Sequence, residues 1–437
     1  MSGIVGAIGE DAYEAEPKMC TTLAHRGNAH RSIQGELTDG TEYAVTALGL
    51  ATLREVSNQH GSVLSASDNY NGSYARARII NSHVIKLDRD SIGPRPLFYG
   101  VNDARSLCAF ASERKALWAV GIKCPKRVDP SLVVTISGLQ DIEMKIKKNS
   151  ELSHKNLTFD DASKLVNGLR NLLEYVLQDL DHKRMMVAFS GGVDSAVLCK
   201  LMSNRANLHC YTVGLPGSHD LLYAQHAARL MNLDLQIIEL NEYDLEMCIP
   251  VVMEAVESCR PLDIAISLPL YVLAKQARVA GYSSVLTGQG ADELFAGYSK
   301  YANLHLASND TLNDVLKNDI RNIARDNLER DNLATAAHSL DVVLPYLDPR
   351  VVVFGLALDT TWKLHNGINK YILRKVADQV MPHELAYGQK KAIQYGTGVS
   401  SMLQRLAHKK MPSANRRGVL NLYLRSIAEK QGIMVAE

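Results

Sequence analysis

The stretch SGGVDS, at residues 190 to 195, carries residue types that can hold a phosphate chain. It follows the apolar run MMVAF and precedes an apolar helical segment, which predicts a turn from a buried strand into a helix. The two glycines let the backbone turn tightly and aim its N–H groups at an anion beside the helix N-terminus. Ser190 and Ser195 add hydroxyl donors, and Asp194 can hold a magnesium ion that bridges phosphates. The loop lacks the lysine of a Walker A motif, and an ordinary strand–helix turn is the alternative.

The elements around this loop indicate a parallel sheet. From about residue 160, amphipathic stretches such as DASKLVNGLRNLLEYVLQDL and YAQHAARLMN alternate with the short apolar runs MMVAFS, LHCYTVGL and YSSVLTG. This alternation predicts an α/β domain with a doubly wound parallel sheet. After residue 300 the chain reads as mainly helical, and we predict this domain over residues 155–437.

The first part of the chain has a different pattern. Short β-like runs are separated by turn residues, and ARARII and HVIKLDRD alternate with period two, which is typical of half-buried antiparallel strands. A polar tract at 145–161 separates this pattern from the helical one. The sequence therefore predicts a separate domain over residues 1–150.

The composition favours a soluble globular protein of two domains. The 437 residues are 46% hydrophobic and 22% charged, and 48 basic residues nearly balance 47 acidic ones, so net charge favours neither nucleic acid nor a membrane surface as a partner. Seven scattered cysteines form no C-x-x-C pair, which favours a reducing compartment. We find no signal-peptide pattern and no apolar run long enough to span a bilayer, so we expect a cytoplasmic protein.

Several motifs together resemble one family. SGGVDS is similar to the pyrophosphate-binding loop of the ATP-pyrophosphatase superfamily, whose members cleave ATP between the α- and β-phosphates and adenylate a carbonyl oxygen. VLTGQGADELFAGY (285–298) resembles the LSGEGADELFGGY signature of asparagine synthetases, and AHSLDVVLPYLDPRVVVFGLAL (337–358) resembles their VPFLD segment. HRG, DRDSIGPRPLFYG and FASERKAL resemble their glutamine-hydrolysing domain. The resemblance implies an α+β sandwich of the N-terminal nucleophile type, a class-II glutamine amidotransferase domain, followed by an ATP-pyrophosphatase domain.

The resemblance implies a role for each matching residue, with ATP and Mg²⁺ as cofactors. Asp194 and Asp292 would share the magnesium ion, and Lys390 would neutralise charge on the phosphates during adenylation. Lys391 competes with Lys390 for that role, and a solvated surface charge is the alternative for either lysine. The implied catalytic set is Lys390, Asp292 and Gln289, and the implied ATP-binding set is Ser190, Gly191, Gly192, Asp194, Ser195, Val213, Gly214 and Gly288.

The first departure from the family concerns glutamine hydrolysis. Ser2 stands where the family has its nucleophilic cysteine. A serine exposed by removal of Met1 could use its own α-amino group as base, yet a hydroxyl is a far weaker nucleophile than a thiol. The family's N-G-E segment is deleted, LGLATLRE lacks its arginine while Arg54 is displaced, and HRGNAHR lacks the proline and aspartate that follow HRG. Without groups to position glutamine, we predict a domain inactive as a glutaminase.

Other departures lie in the synthetase half. Gln289 replaces a glutamate, and an amide cannot titrate, so Glu293, Asp263 or a tyrosine would act as base unless the position is only structural. Ala265 and Val343 stand where the family has arginines. Losing two guanidinium groups should change which acid is held, and Asp263 could favour a cationic or amine-bearing group.

The sequence thus predicts a ligase that adenylates a small carboxylate, aspartate being the nearest named substrate, and uses free ammonia or an amine as acceptor. Two rivals are a related adenylating enzyme with another substrate, of the β-lactam synthetase or RNA-modifying kind, and an inactive nucleotide-binding regulatory protein. The basic C-terminal stretch 401–437 reads better as a solvated face than as a nucleic-acid surface. A homodimer is compatible with the sequence.

Overall fold

The structure is a computed structural model, and it describes residues 1–27, 30–37, 39–58, 61–70, 73–80, 84–137, 141–147, 162–180, 185–203, 208–302, 309–388, 396–412 and 418–436. The chain divides into two compact units. Unit 1 comprises Met1–Glu151, Ala324–Ser339 and Met434–Glu437, and unit 2 comprises Leu152–Ile323 and Leu340–Ile433. The boundary predicted between residues 150 and 155 lies outside the described residues, so the predicted domain limits stay a prediction.

The strands are numbered in chain order: β1 Ser2–Gly9, β2 His30–Glu36, β3 Glu42–Gly49, β4 Thr52–Asn58, β5 Gly61–Tyr70, β6 Ser73–Ile80, β7 Val84–Arg89, β8 Phe98–Asn102, β9 Leu107–Ala111, β10 Lys126–Arg127, β11 Leu132–Ile136, β12 Ile142–Ile146, β13 Met185–Ala188, β14 Cys210–Gly214, β15 Leu235–Glu239, β16 Ser284–Leu286, β17 Asp341–Val343, β18 Leu364–His365 and β19 Ile368–Asn369. The helices are α1 Ala12–Thr22, α2 Arg114–Trp118, α3 Ala162–Gln178, α4 Val193–Met202, α5 His219–Met231, α6 Glu242–Val256, α7 Pro261–Val279, α8 Ala291–Leu294, α9 Asn309–Ile323, α10 Glu329–Ala336, α11 Pro349–Ala357, α12 Tyr371–Val380, α13 His383–Ala386, α14 Val399–Lys410 and α15 Val419–Gln431.

Unit 1 is built on two antiparallel six-stranded sheets. The strand orders are β10-β8-β9-β1-β3-β2 and β12-β11-β7-β6-β5-β4. All residues of β1 are buried, and because successive side chains point to opposite faces, this strand serves two cores. Ile4 and Ile8 pack with residues of the second sheet such as Leu87. Val5 and Ala7 pack on the other face, with residues of α1 and α2. The antiparallel strands match the alternating sequence pattern, and the assignment to the N-terminal nucleophile type stays a prediction.

Residues 324–339 belong to unit 1, although their chain neighbours on both sides belong to unit 2. Glu329, at the start of α10, is buried and accepts hydrogen bonds from Arg89 Nη1 and Arg127 Nε, each at 2.7 Å. Asn332 Oδ1 accepts from Arg26 Nη2 at 2.9 Å. Ion pairs and a hydrogen bond whose partners are more than 200 residues apart therefore tie this segment into unit 1, and nothing in the sequence pattern indicates this placement.

Unit 2 contains a five-stranded sheet of order β15-β14-β13-β16-β17 in which every pairing is parallel. The parallel sheet predicted from the strand–helix alternation is confirmed. The chain runs outward from β13 in one direction to β14 and β15, and in the other to β16 and β17. The strand order therefore reverses between β13 and β16, and ligands of open α/β sheets bind at such a switch point, outside the carboxyl ends of the strands.

A small hairpin, β18–β19, leads into α12 in unit 2. Lys363 precedes it and is fully buried, and its backbone oxygen accepts from Tyr371 N at 3.0 Å. Within the described chain, its Nζ has no hydrogen-bond partner. Burial, followed by the charge of Lys317, lowers the pKa of Lys363 from 10.5 to about 7. The segment that leads into the hairpin therefore contains a buried lysine whose charged form is destabilised by the loss of its hydration.

We predict that Glu329→Ala destabilises unit 1 strongly. The change leaves Arg89 buried without its carboxylate partner, and breaking a buried pair in this way costs about 3–5 kcal/mol. Calorimetric unfolding of the full chain, together with hydrogen exchange of the β7 amides, measures the loss. Glu143→Ala removes the exposed pair with Lys145 in the same unit and should change stability by less than about 1 kcal/mol. Equal effects of the two substitutions would contradict this account.

We predict that Lys363→Met stabilises unit 2 near neutral pH. An unfolded lysine keeps its usual pKa, so unfolding takes up a proton between pH 7 and 10.5 and the cost of burying Lys363 falls as pH rises. The variant should gain on the order of 3 kcal/mol at pH 7 and clearly less at pH 9.5. Denaturant unfolding at the two pH values measures the difference, and a gain that does not depend on pH would rule out this explanation.

Candidate active site

The SGGVDS loop forms a closed turn between β13 and α4. Gly191 has a φ of +74°, and Gly192 is the N-cap residue of α4. Ser195 Oγ accepts from Ser190 N at 3.3 Å, lies 3.1 Å from Ser190 Oγ and donates to Gly192 O at 3.2 Å. These bonds fix the loop around the first turn of a ten-residue helix, whose N-terminal N–H groups favour an anion.

The turn after β16 packs directly against this loop. A Cβ at Gly288 would lie 2.8 Å from Asp194 Cβ and 3.3 Å from Ser195 N, so only glycine allows the two turns to approach. Tyr346, which follows β17, is fully buried and donates from its hydroxyl to Asp194 O at 2.9 Å. Segments after β13, β16 and β17 therefore meet at one edge of the sheet.

Asp194 and Asp292 converge on the ammonium group of Lys370. Lys370 Nζ lies 2.8 Å from Asp194 Oδ1, 2.7 Å from Asp194 Oδ2 and 2.8 Å from Asp292 Oδ1. The lysine side chain is 8% exposed. Burial alone would lower the pKa of Lys370, but the carboxylates of Asp194 and Asp292 outweigh that effect and raise it. The two aspartates predicted to share a metal ion thus face one common cation position.

Sequence reasoning assigned no role to Lys370. KYILRKVADQVMP has the pattern of a helix, which by itself gives Lys370 no role, and Lys370 is separated from Asp194 by 176 residues. The only sequence signal is the position of the lysine, directly after a short hairpin and before a helix, and this does not distinguish it from a surface lysine.

Gln289 and the groups considered as substitutes for it have different surroundings. Gln289 N lies 3.5 Å from Thr287 Oγ1 in the turn after β16. Glu293 is buried in α8 and accepts from the Tyr298 hydroxyl at 2.7 Å. Burial, followed by the charge of Asp292, raises the pKa of Glu293 to about 7.

Asp263, at the start of α7, is held by its neighbours. It accepts from Ser258 Oγ and from Arg260 Nε, each at 2.7 Å. Ala265 lies on the same helix and Val343 ends β17, and both are buried. A carboxylate already paired with a guanidinium is a weak candidate for a base or for an amine-binding group.

Val213 and Gly214 end β14, the strand next to β13, and so lie at the same edge of the sheet as the loop. Gly214 O accepts from Leu240 N, and Leu215 N donates to Thr397 O, each at 2.9 Å. Lys390 and Lys391 lie outside the described residues. Before them, Arg374 donates to Ala386 O at 2.8 Å and to Gly388 O at 3.1 Å.

Ser2 is buried in β1, opposite Gly49 of β3. Its carbonyl oxygen accepts from Arg26 Nη1 at 3.0 Å, and Arg26 Nε donates to Glu113. Although burial opposes ionisation, Arg26, followed by two further basic side chains, holds the pKa of Glu113 well below its usual range. The displaced Arg54 lines a cavity of about 440 Å³ together with Gly49. This unit thus places a buried charge cluster beside Ser2.

Comparison with known proteins agrees with the motifs. The asparagine synthase family model matches residues 178–311 and 304–430, more than half of the chain. The matched sequence places the chain among the ligases that form carbon–nitrogen bonds. It belongs to the asparagine synthase family. Within the described parts of the chain, no helix combines the length and hydropathy needed to cross a bilayer.

Individual relatives match over most of the chain. A Methanocaldococcus jannaschii protein, provisionally named asparagine synthetase 1 (glutamine-hydrolyzing), is 32% identical over 389 residues, which cover 77% of this chain and 71% of that protein. Asparagine synthetase B (glutamine-hydrolyzing) of Escherichia coli is 27% identical over 340 residues, covering 72% and 59% respectively. The chain therefore spans about three fifths of the length of the E. coli relative.

Solved structures give weaker likenesses. The NMN synthetase of Francisella tularensis matches with a TM-score of 0.32 and 10% identity over 63% of this chain and 94% of that one. The NH3-dependent NAD synthetase of Campylobacter jejuni matches with a TM-score of 0.28 and 13% identity over 63% and 96%.

We predict that Tyr346→Phe loosens the loop. The change leaves Asp194 O without its buried donor, and such an unmade bond costs about 1–3 kcal/mol. Denaturant unfolding of the full chain measures this, with hydrogen exchange of the α4 amides reporting the local effect. Tyr243→Phe, at a side chain that is 71% exposed in the same unit, is the matched control and should be neutral. Unchanged α4 exchange in Tyr346→Phe would contradict the positioning role.

Proposed function

We propose that this chain is an ATP-dependent amide ligase that adenylates a carboxylate and lets ammonia or an amine displace AMP. The products would be an amide, AMP and pyrophosphate, and asparagine formation from aspartate is the nearest named activity. The observation that carries the proposal is the convergence of Asp194 and Asp292 on one cation position, beside the N-terminus of α4 at the switch point of the sheet. Membership of the asparagine synthase family supports it.

The SGGVDS loop would bind the phosphates of ATP. Backbone N–H groups at the start of α4, with the hydroxyls of Ser190 and Ser195, offer donors to an anion. Val213 and Gly214, at the end of the neighbouring strand, would lie near adenine, as the family resemblance implies. The absence of a side chain at Gly288 allows the turn after β16 to pack against the SGGVDS loop.

A magnesium ion fits the donor set. Mg²⁺ is usually held by one or two carboxylates together with phosphate oxygens and water, rather than by a cage made only of protein ligands. Asp194 and Asp292 offer such a pair, and no cluster of three or more His, Cys, Asp or Glu side chains suited to a metal occurs in the described residues. These two aspartates would hold the ion, which when bound neutralises charge on the departing pyrophosphate.

Two lysines would assist the departure of pyrophosphate. Lys370 already carries its ammonium group to the carboxylate pair, and Lys390 has this role by resemblance. Fixed positive charge placed where negative charge develops lowers the barrier to cleavage. The attacking nitrogen must also lose a proton, which the amide of Gln289 cannot accept. Glu293, the residue after Asp292 in α8, is the candidate acceptor, because a buried carboxylate can take up a proton.

We propose that the acceptor nitrogen does not come from glutamine in this chain. Ser2 is a weak nucleophile, it is buried, and Arg26 donates to its carbonyl oxygen. As part of this proposal the protein acts in the cytoplasm on a small carboxylate. All seven cysteines have free thiols, which suits a reducing compartment.

The test is ATP–pyrophosphate exchange with purified full-length chain and a panel of acids, with ammonia in a second series. Exchange that requires an acid supports the proposal, and the acid that supports it identifies the substrate. The panel includes aspartate and acids without a second carboxylate, because Ala265 and Val343 lack the guanidinium groups that could pair with one. Exchange with RNA alone would favour an RNA-modifying enzyme. ATP binding without any exchange would favour a regulatory protein.

We predict that Asp292→Asn lowers acid-dependent exchange at least 100-fold. The neutral amide removes half of the carboxylate pair that would hold Mg²⁺, and the loss corresponds to about 2.7 kcal/mol or more. Asp314→Asn, at an exposed position on α9, is the matched control and should leave exchange unchanged. Full exchange by Asp292→Asn would contradict the assignment of the metal site.

A further inference from the structure

The ammonium group of Lys370 occupies the position in which a metal ion would bind to both aspartates. Its three contacts, all at 2.7–2.8 Å, use both carboxylate oxygens of Asp194 and one of Asp292. A divalent cation held by both aspartates would draw on the same carboxylates, and both oxygens of Asp194 already contact the ammonium group. The ammonium and the metal therefore compete for one donor set.

Lys370 is held in this place by its backbone and not only by the ion pairs. It has a left-handed conformation with φ +53°, and its N–H donates to Phe295 O at 3.0 Å. Arg374, one turn further along α12, donates to the oxygen of Asn369 at 2.8 Å and thereby fixes the end of the hairpin. A Cβ at Gly297 would lie 2.2 Å from Lys370 Cε, so glycine there provides the room for the lysine stem.

The charges around Asp194 and Asp292 determine whether the two carboxylates bind the Lys370 ammonium group or a metal ion, before and after a nucleotide binds. Two carboxylates carry two negative charges, and Lys370 neutralises one of them without the entropic cost of capturing an ion from solution. A metal that arrives alone must displace a tethered, largely buried partner. A nucleotide brings several negative charges to the loop beside the pair, so it offers the ammonium a new set of oxygens.

We propose that Lys370 is a tethered counter-ion that excludes free divalent metal from Asp194 and Asp292 until nucleotide phosphates accept its ammonium group. Metal then enters with the nucleotide and not before it. This inference rests on the proposed function for the identity of the nucleotide, but the exclusion of metal concerns the protein alone. Lys370 is a positioning residue in this respect, since it sets when the carboxylates become available.

The test is a titration of the full chain with Mn²⁺ in the absence of nucleotide, in which electron paramagnetic resonance counts the unbound ion. Mn²⁺ is used in place of Mg²⁺ because it binds similar oxygen ligands and gives an electron paramagnetic resonance signal. We expect Lys370→Met to bind one Mn²⁺ at least tenfold more tightly than the unaltered chain. Adding Asp194→Asn to Lys370→Met should abolish that gain, which locates the ion at the pair.

Two further variants serve as a control for, and as an alternative to, Lys370→Met. Lys300→Met removes an exposed lysine paired with Asp319 in the same unit, and it should bind Mn²⁺ as the unaltered chain does. Lys370→Gln retains hydrogen-bond donors without the charge and serves if Lys370→Met does not fold; it should also gain affinity. Equal Mn²⁺ affinity of the unaltered chain and the folded Lys370 variants would overturn the inference. Failure of acid-dependent exchange would refute the proposed function and leave the Mn²⁺ comparison unaffected, because that comparison needs no turnover.

Discussion

The contact between the Lys370 ammonium group and the carboxylates of Asp194 and Asp292 is the interaction on which the candidate site depends. Each partner comes from a different part of unit 2: Asp194 from the first turn of α4, Asp292 from α8, and Lys370 from the end of the β18–β19 hairpin. Two half-buried carboxylates repel each other, and a cation between them removes that repulsion. The parallel sheet is the frame that makes this possible, because the carboxyl ends of β13 and β16 meet where the strand order reverses.

In unit 1, buried charged groups are likewise paired with groups of opposite charge, and there the pairs hold elements of the fold in place. Arg26 and Glu113 form a buried ion pair beside Ser2, and Glu329 is enclosed by arginines of the strands around it. Such groups cost free energy when they lose a partner, so they hold α10 and the start of β1 in defined positions. Ser2 is a weak nucleophile buried beside this ion pair, and our proposal places the chemistry in unit 2.

The SGGVDS loop could be predicted from the sequence because all of its residues lie within one short segment. SGGVDS joins a strand to a helix within a few residues, and the strand–helix alternation around it predicts the parallel sheet that the structure contains. Lys370 could not be found in this way, because its partner Asp194 is distant in sequence and only the fold brings them together. The inclusion of residues 324–339 in unit 1 could not be predicted for the same reason, since Glu329 contacts Arg89 and Arg127 across more than 200 residues. Lys390, which the motif singled out, lies outside the described residues and stays a prediction.

The central claim is that this site cleaves ATP between the α- and β-phosphates to activate a carboxylate. The most direct measurement is phosphorus NMR of ATP incubated with the full chain, Mg²⁺, ammonia and the acid panel, with amide formed measured in parallel. The account predicts AMP and pyrophosphate in equal amounts, with one amide formed per AMP. Formation of ADP and phosphate together with amide, or consumption of ATP that does not depend on an acid, would contradict it.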